Sequence, residues 1–266
     1  MMIPKDYGKV ELLLFDLDGT LLRSDKTISP VVLAALRDCR RQGLPIGICT
    51  ARGEQNSLVF LRELQPDFLI VSGGALIKAG GRCIYEAAFS AEETRQMIQA
   101  AREICGAECQ ITVDTAAAHY WNYKVDPRSS EKNWSGSVYT DFSDFCQDAL
   151  KLCVEIFETE QAEKLKKALP ETDSIRFSDS FWYKFTKKDV TKETAIRKLC
   201  AASGILPDNI IAFGDDLADI GMLRLAGVGV AMGNALTEVK QAADIVIGSN
   251  DEDGIAEYLR ELIGES

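Results

Sequence analysis

The sequence predicts an α/β fold: a Rossmann-like, doubly wound parallel sheet, interrupted in the chain by an inserted α+β segment. Three observations carry this. Short apolar runs alternate with helical patterns through the first third, the same rhythm returns in the last third, and the middle breaks into hairpins and aromatic stretches. Continuous apolar strands alternating with helices imply a parallel sheet covered on both faces.

Residues 10–15 read as the first strand, apolar until two acids end it. SPVVLAALRDCRRQG is punctuated as a helix, with Ser29 as N-cap, Pro30 in the first turn and Gly43 just past the end. Val32, Ala35, Leu36 and Cys39 recur at helical spacing and form its buried face. A strand at 44–49 leads into TARGEQ, a helix covers 57–64, and a strand at 68–71 leads into SGGALI.

The middle reads differently. Residues 75–86 form a hairpin with AGG at its tip, followed by a helix at 91–104 and strands at 111–114, 119–123 and 152–157. A helix near 160–168 and a hairpin at 174–186 complete it. The alternation then resumes: helix 192–203, strand 209–213, helix 217–225, strand 228–231, helix 236–242, strand 245–247 and helix 252–262. The expected division is a core of 1–82 with 187–266, and an inserted cap of 83–186.

Composition sets outer bounds. A chain of 266 residues that is 46% hydrophobic and 27% charged is ordinary for a soluble globular protein. Its net charge of −11 argues against a nucleic-acid backbone or an anionic membrane as main partner. MMIPKDYGKVELLLFD lacks the pattern of a signal peptide, and no apolar run nears the roughly 20 residues that span a bilayer. The eight cysteines form no CxxC pair and only one histidine, His119, accompanies them, so they read as buried thiols of a cytoplasmic protein and not as a zinc site. His119 itself reads as a sheet residue.

Chemistry gathers where strands end. In an open parallel sheet, ligands bind at the carboxyl ends of the strands. The first strand delivers Asp16 and Asp18 in FDLDGT, the second Thr50, and a later one Asp215 in FGDD. Three acids at one rim repel one another and lose hydration, a cost that a hard divalent cation removes; magnesium suits few carboxylates plus phosphate oxygens. Such a site can form an aspartyl phosphate. Asp16 would attack, Asp18 would protonate the leaving oxygen and then activate water, and Thr50 would offer a hydroxyl. Lys192, at a helix start, would add its charge to the helix dipole, and Gly19 would let backbone N–H groups approach the phosphate. Taken singly, each has another reading. DxD also suits turns and calcium loops, Thr50 a helix N-cap, Lys192 a solvated position, and Asp215, Asp216 and Asp219 the start of the next helix. Only the joint order favours the site.

That order resembles the haloacid dehalogenase-like phosphohydrolase superfamily. FDLDGTLL is similar to its first motif, CTAR to its second, the lysine of DVTKE to its third and FGDDLADIGML to its fourth. The spacing and AGVGVAMGNALTEVKQAADIVIGSNDEDGIAEYL resemble the Cof-type branch, subfamily IIB. The resemblance implies a type C2 cap between the second and third motifs. It implies that Asp16 is nucleophile and magnesium ligand, that Asp18 is acid/base and lends a backbone carbonyl to the metal, and that Asp215 completes the ligands. Asp219 would support the metal or Lys192. Thr50, Ala51, Arg52 and Lys192 would hold the phosphate, and Asn234 would sit at the rim, where a turn-forming asparagine is the other reading. Three positions depart from the family pattern: Ala218 stands for the asparagine of GDxxND, Ala51 for the glycine of TGR, and Gly73 for the asparagine of NGA.

The cap would close over the core cleft and exclude water. Tyr120, Trp121, Tyr123, Lys124, Arg128, Trp182 and Lys184 are its candidates for stacking on, or pairing with, a phosphorylated sugar or cofactor, against the alternative that they pack the sheet. The expectation is a magnesium-dependent phosphatase of a small phosphorylated metabolite, acting as monomer or homodimer. The alternatives are a phosphomutase using the same aspartyl phosphate and a phosphometabolite-binding regulatory protein with weak turnover.

Overall fold

The structure, a computed structural model, describes residues 10–123, 137–178 and 180–264. The first strand, β1, is Leu12–Phe15 and is buried throughout. Helix α1, Pro30–Arg41, begins with the Ser29 hydroxyl accepting from the Val31 N–H, and its buried residues are Val32, Ala35, Leu36 and Cys39. Next come β2 (Ile46–Cys49), α2 (Leu58–Leu64), β3 (Phe68–Val71), β4 (Leu76–Ala79) and β5 (Arg82–Glu86). The cap holds α3 (Ala91–Cys105), β6 (Ile111–Asp114), β7 (His119–Trp121), β8 (Ser137–Tyr139), β9 (Lys151–Glu155), α4 (Thr159–Ala168), β10 (Thr172–Arg176) and β11 (Trp182–Lys187). The chain returns through α5 (Lys192–Ser203), β12 (Ile210–Gly214), α6 (Ile220–Leu225), β13 (Val228–Ala231), α7 (Thr237–Ala242), β14 (Ile245–Val246) and α8 (Gly254–Ile263).

The core sheet has eight strands in the order β14-β13-β12-β1-β2-β3-β4-β5. From β14 to β3 every pairing is parallel, and β1 from the first chain segment lies against β12 from the last, with Leu12 opposite Ile210 and Phe15 opposite Phe213. The hairpin β4–β5 adds two antiparallel strands to the β3 edge. The expected division at residue 82 therefore falls on the first residue of β5, a strand that runs to Glu86 inside the core sheet. Tyr85, Ala87 and Ala88 pack on the core cluster, whereas Phe89 belongs to the cap's. The hairpin joins the core because β3 would otherwise leave a bare edge.

The cap sheet runs β10-β11-β9-β6-β7-β8. Alternation assigns its faces. Ile111, Val113, Leu152, Val154, Tyr183 and Phe185 pack with Met97, Ile98, Ala162 and Leu165 of α3 and α4. The residues between them, Thr112, Asp114, Lys151, Cys153, Trp182 and Lys184, occupy the opposite face. Two details differ from expectation. β8 pairs parallel to β7, and its three residues are too few to leave a period-two pattern. The expected helix 217–225 is split into a 3-10 turn, Leu217–Asp219, and α6, because Asp219 folds back onto the Asp215 and Asp216 N–H groups. Among the described residues no helix is long and apolar enough to cross a membrane.

Candidate active site

Parallel pairing of β1 and β12 brings Asp16 and Asp215 out of adjacent strands at one edge. The Phe15 and Phe213 rings stack at 4.5 Å beneath them, and the Asp16 N–H donates to the Phe213 carbonyl at 3.0 Å. Lys192 opens α5 directly after its N-cap, Thr191. Its Nζ donates to Asp16 Oδ1 and to Asp219 Oδ1, both at 2.6 Å. Asp219 Oδ2 accepts from the Asp215 and Asp216 N–H groups at 3.0 and 3.1 Å, so this buried carboxylate braces both Lys192 and the loop after β12.

The second strand end supplies the opposite wall. Thr50 is buried, and its hydroxyl accepts from the Arg52 N–H at 3.1 Å. Arg52, 6% exposed, forks onto Asp18, with Nε to Oδ2 at 2.6 Å and Nη2 to Oδ1 at 2.8 Å, and Lys26 adds a contact to Oδ1 at 2.8 Å. Ala51 offers its carbonyl to Lys151 of the cap at 2.7 Å. Asn234 donates to the Gly19 carbonyl at 2.8 Å and accepts from the Asn250 N–H at 3.1 Å, so it ties the first loop to the C-terminal segment. All the core candidates, Asp16, Asp18, Thr50, Ala51, Arg52, Lys192, Asp215, Asp219 and Asn234, border one cavity of about 740 Å³.

Electrostatics set the carboxylates apart. Burial pushes the Asp16 carboxyl well up; Lys192 opposes this, and Asp219 and Asp215 reinforce it. Lys192 keeps its proton against burial because Asp16 and Asp219 face it. Burial pushes Asp215 up to about 7, against the Thr20 hydroxyl that donates to it at 2.7 Å. Asp18 goes the other way: burial is outweighed by Arg52 and Lys26, which hold it well below the usual carboxylate range. Asp16, Asp215 and Asp219 place carboxylate oxygens within 4.8 Å of one another. Hard oxygen donors this close together, two of them raised mainly by burial, fit a small divalent cation.

The cap closes the far side of the cavity with Tyr123, Trp182, Lys151 and His119. Tyr123 lies 5.5 Å from Trp121 and 5.4 Å from Trp182, ring centre to ring centre. Tyr120 turns away, against Phe145 on the cap's helical side. Lys124 and Arg128 lie outside the described residues. His119 is a buried β7 residue whose Nδ1 lies 2.5 Å from Asp114 Oδ1. Ala218 borders the cavity, and Gly73 adopts φ +70° beneath Lys184.

Sequence reasoning missed Thr20, Lys26, Asp114 and Lys151. Thr20 follows Gly19 in the first loop and was available as a signal. Lys151 and Asp114 were visible only as polar ends of apolar strands. Lys26 carried no signal.

Residues 13–259 match the haloacid dehalogenase-like hydrolases, and the chain belongs to that family. A 5-amino-6-(5-phospho-D-ribitylamino)uracil phosphatase of Bacillus subtilis is 28% identical over 99% of this chain and 100% of its own. A haloacid dehalogenase-like hydrolase from Bacteroides thetaiotaomicron, 25% identical, superposes with a TM-score of 0.82 over 96% of this chain and all of that one. A subclass IIB sugar phosphatase, 26% identical, does so at 0.81 over the same shares. Within the family the chain is a Cof-type phosphatase of subclass IIB.

Proposed function

We propose that the chain is a magnesium-dependent phosphatase that transfers the phosphoryl group of a small phosphorylated metabolite, a sugar phosphate by preference, to Asp16 and then to water. The observation that carries this is the bridge of Lys192 between Asp16 and Asp219 at 2.6 Å each, at the edge where Asp18, Thr50 and Asp215 also converge. The ammonium holds Asp16 in one orientation and leaves its second oxygen, Oδ2, for the phosphorus.

Each group then has a task. The new Asp16 O–P bond forms as the ester P–O bond breaks, and the leaving oxygen takes a proton from Asp18. In the second step Asp18 accepts a proton from the water that attacks phosphorus, and Asp16 departs as carboxylate. Arg52 and Lys26 favour the ionised form of Asp18 in the structure described; an incoming phosphate competes for both cations, and Asp18 then takes from solvent the proton that it passes to the leaving oxygen. The Thr50 hydroxyl, the Ala51 N–H and Lys192 orient the phosphoryl oxygens. Asp16 and Asp215, with the Asp18 carbonyl, would hold magnesium, and Asp219 would support them through Lys192 and the 215–216 backbone. Bound magnesium would relieve the repulsion among these carboxylates and withdraw charge from the phosphoryl oxygens.

The cavity is far larger than a phosphate, and its cap wall of Tyr123 and Trp182 suits a polyhydroxy chain or ring in the leaving group. The solved sugar phosphatase of subclass IIB supports that substrate class. The test is phosphate release from a panel of phosphate esters, with magnesium and with chelator, repeated for Asp16→Asn. Metal-dependent release lost in the variant is expected. Ester binding without metal-dependent release would sink the proposal, and a stable phosphoprotein in the wild type would favour transfer over hydrolysis.

A further inference from the structure

Lys184 lies on β11 opposite Cys153 of β9, on the cap face that turns toward the core. The side chain is 6% exposed, yet among the described residues no carboxylate pairs with it and no acceptor takes its hydrogen bonds. The lysines on either side are matched: Lys151 with Asp114 at 2.8 Å, and Lys192 with Asp16 and Asp219. Its Nζ stands 2.6 Å from where a Cβ on Gly73 would be, so it fills the space that a side chain at 73 would take.

An ammonium on a mostly buried side chain without a counter-charge is costly to hold, and two neighbouring lysines increase the cost. Burial, then Lys151 and Lys192, bring its amine down to about 8, with the Cys153 and Cys49 thiols opposing. The strand on its other side, β10, contributes only the apolar Ile175 opposite it. Packing alone would be served better by an apolar residue, as at Phe185 next to it on the opposite face. Cys153, Lys151 and Lys192 all border the active-site cavity, which puts Lys184 one layer behind its wall.

We propose that Lys184 is a positioning residue of the phosphate site, a third buried cation beside Lys151 and Lys192 that an incoming phosphate dianion neutralises and the protein itself does not. It acts through its field and not through contact, and it favours doubly charged phosphomonoesters over singly charged diesters. This rests on the phosphatase reading for the place of the phosphate, but binding alone tests it.

The experiment is calorimetric titration of wild type and Lys184→Met with inorganic phosphate in excess magnesium, at about pH 7 and about pH 9, on either side of the amine's titration. The variant should bind phosphate about tenfold more weakly at the lower pH, and the wild type should lose that advantage at the higher one. Without phosphate the variant should melt no lower than wild type, since an unpaired buried charge has gone. Lys184→Gln, which keeps much of the length without the charge, is the second variant should methionine pack badly. Equal phosphate affinities in wild type and both variants, or the same pH dependence in all three, would overturn the proposal. Phosphate binding that depends on Lys184 in a protein releasing no phosphate from esters would support it while refuting the phosphatase reading.

Discussion

Arg52 holds both carboxylate oxygens of Asp18, with Nε at 2.6 Å from Oδ2 and Nη2 at 2.8 Å from Oδ1. Two loops that are 34 residues apart in the chain are thereby joined by a planar fork that a lysine cannot reproduce. The guanidinium is also packed over the Phe60 ring at 5.3 Å, so its direction is set from behind.

Replacing Arg52 should therefore cost more than a surface charge. Arg52→Lys is expected to lower stability by roughly 2 kcal/mol in urea unfolding, since one fork of charged hydrogen bonds is lost from a mostly buried donor. Phosphate-ester turnover should fall at least tenfold. A variant as stable and active as wild type would show that the fork is incidental.

Gly19 should not tolerate a side chain. It sits at φ +73°, and a Cβ there would collide with the Asp215 carboxylate. Gly19→Ala is expected to displace Asp215 and so to reduce the rise in melting temperature that the proposed magnesium binding would give. Wild type, melted with and without magnesium, provides the reference. The same rise in the variant would contradict the packing described.

The cap–core seam should make the protein acid-sensitive. Asp114, 1% exposed, receives Lys151 at 2.8 Å and Ser72 at 3.1 Å, and it also faces His119. Burial raises its carboxyl, but the Lys151 charge and the His119 hydrogen bond outweigh that and hold it well below the usual range. A carboxyl depressed in the folded state contributes stability that is full above its unfolded value of about 3.9, and loses it as pH falls toward the folded value. Asp114→Asn should be destabilised by about 3–5 kcal/mol near neutrality, because Lys151 is left buried without its counter-charge. In urea unfolding across the acid range, the gap between variant and wild type should narrow as the pH falls below about 4. A constant gap would remove Asp114 from the account.

The thiols should divide by burial. Cys49 is buried and its thiol is pushed up to about 12, first by loss of hydration; Cys153 is likewise buried and raised, whereas Cys83 and Cys146 are exposed. Alkylation of the native protein near pH 8, read by mass spectrometry, should label Cys83 and Cys146 first and spare Cys49 and Cys153 until denaturant is added. Early labelling of Cys49 would mean that the sheet opens at the active-site edge.

The rim of acids was legible because parallel strands all point their carboxyl ends to one edge. Once the apolar runs at 10–15, 44–49 and 209–213 are read as strands of one parallel sheet, Asp16, Thr50 and Asp215 fall at one rim; that β1 lies between β2 and β12 is shown by the structure. Helix punctuation was equally local: Ser29 and Pro30 start α1, and Thr191 caps α5, so Lys192 takes the first helical position. The hairpin at 75–86 was legible as a hairpin but not as the core's edge, because its place depends on an open side of β3 that only the assembled sheet defines.

The sequence by itself thus determined the core strands and helices, the order of the candidate-site loops and the acids at their ends, since periodicity, capping and strand direction are local properties. Only the tertiary structure decided that Arg52 grips Asp18, that Asp219 braces Lys192, and that Asp114, Lys151 and Lys184 face the core across the cap seam. The first two depend on how the core loops pack at the strand ends, and the last on which face of each cap strand turns inward and how closely the cap approaches the loop after β2. All are set by packing between segments far apart in the chain, and a one-residue slip in register of the cap strands would turn Asp114, Lys151 and Lys184 to the other face.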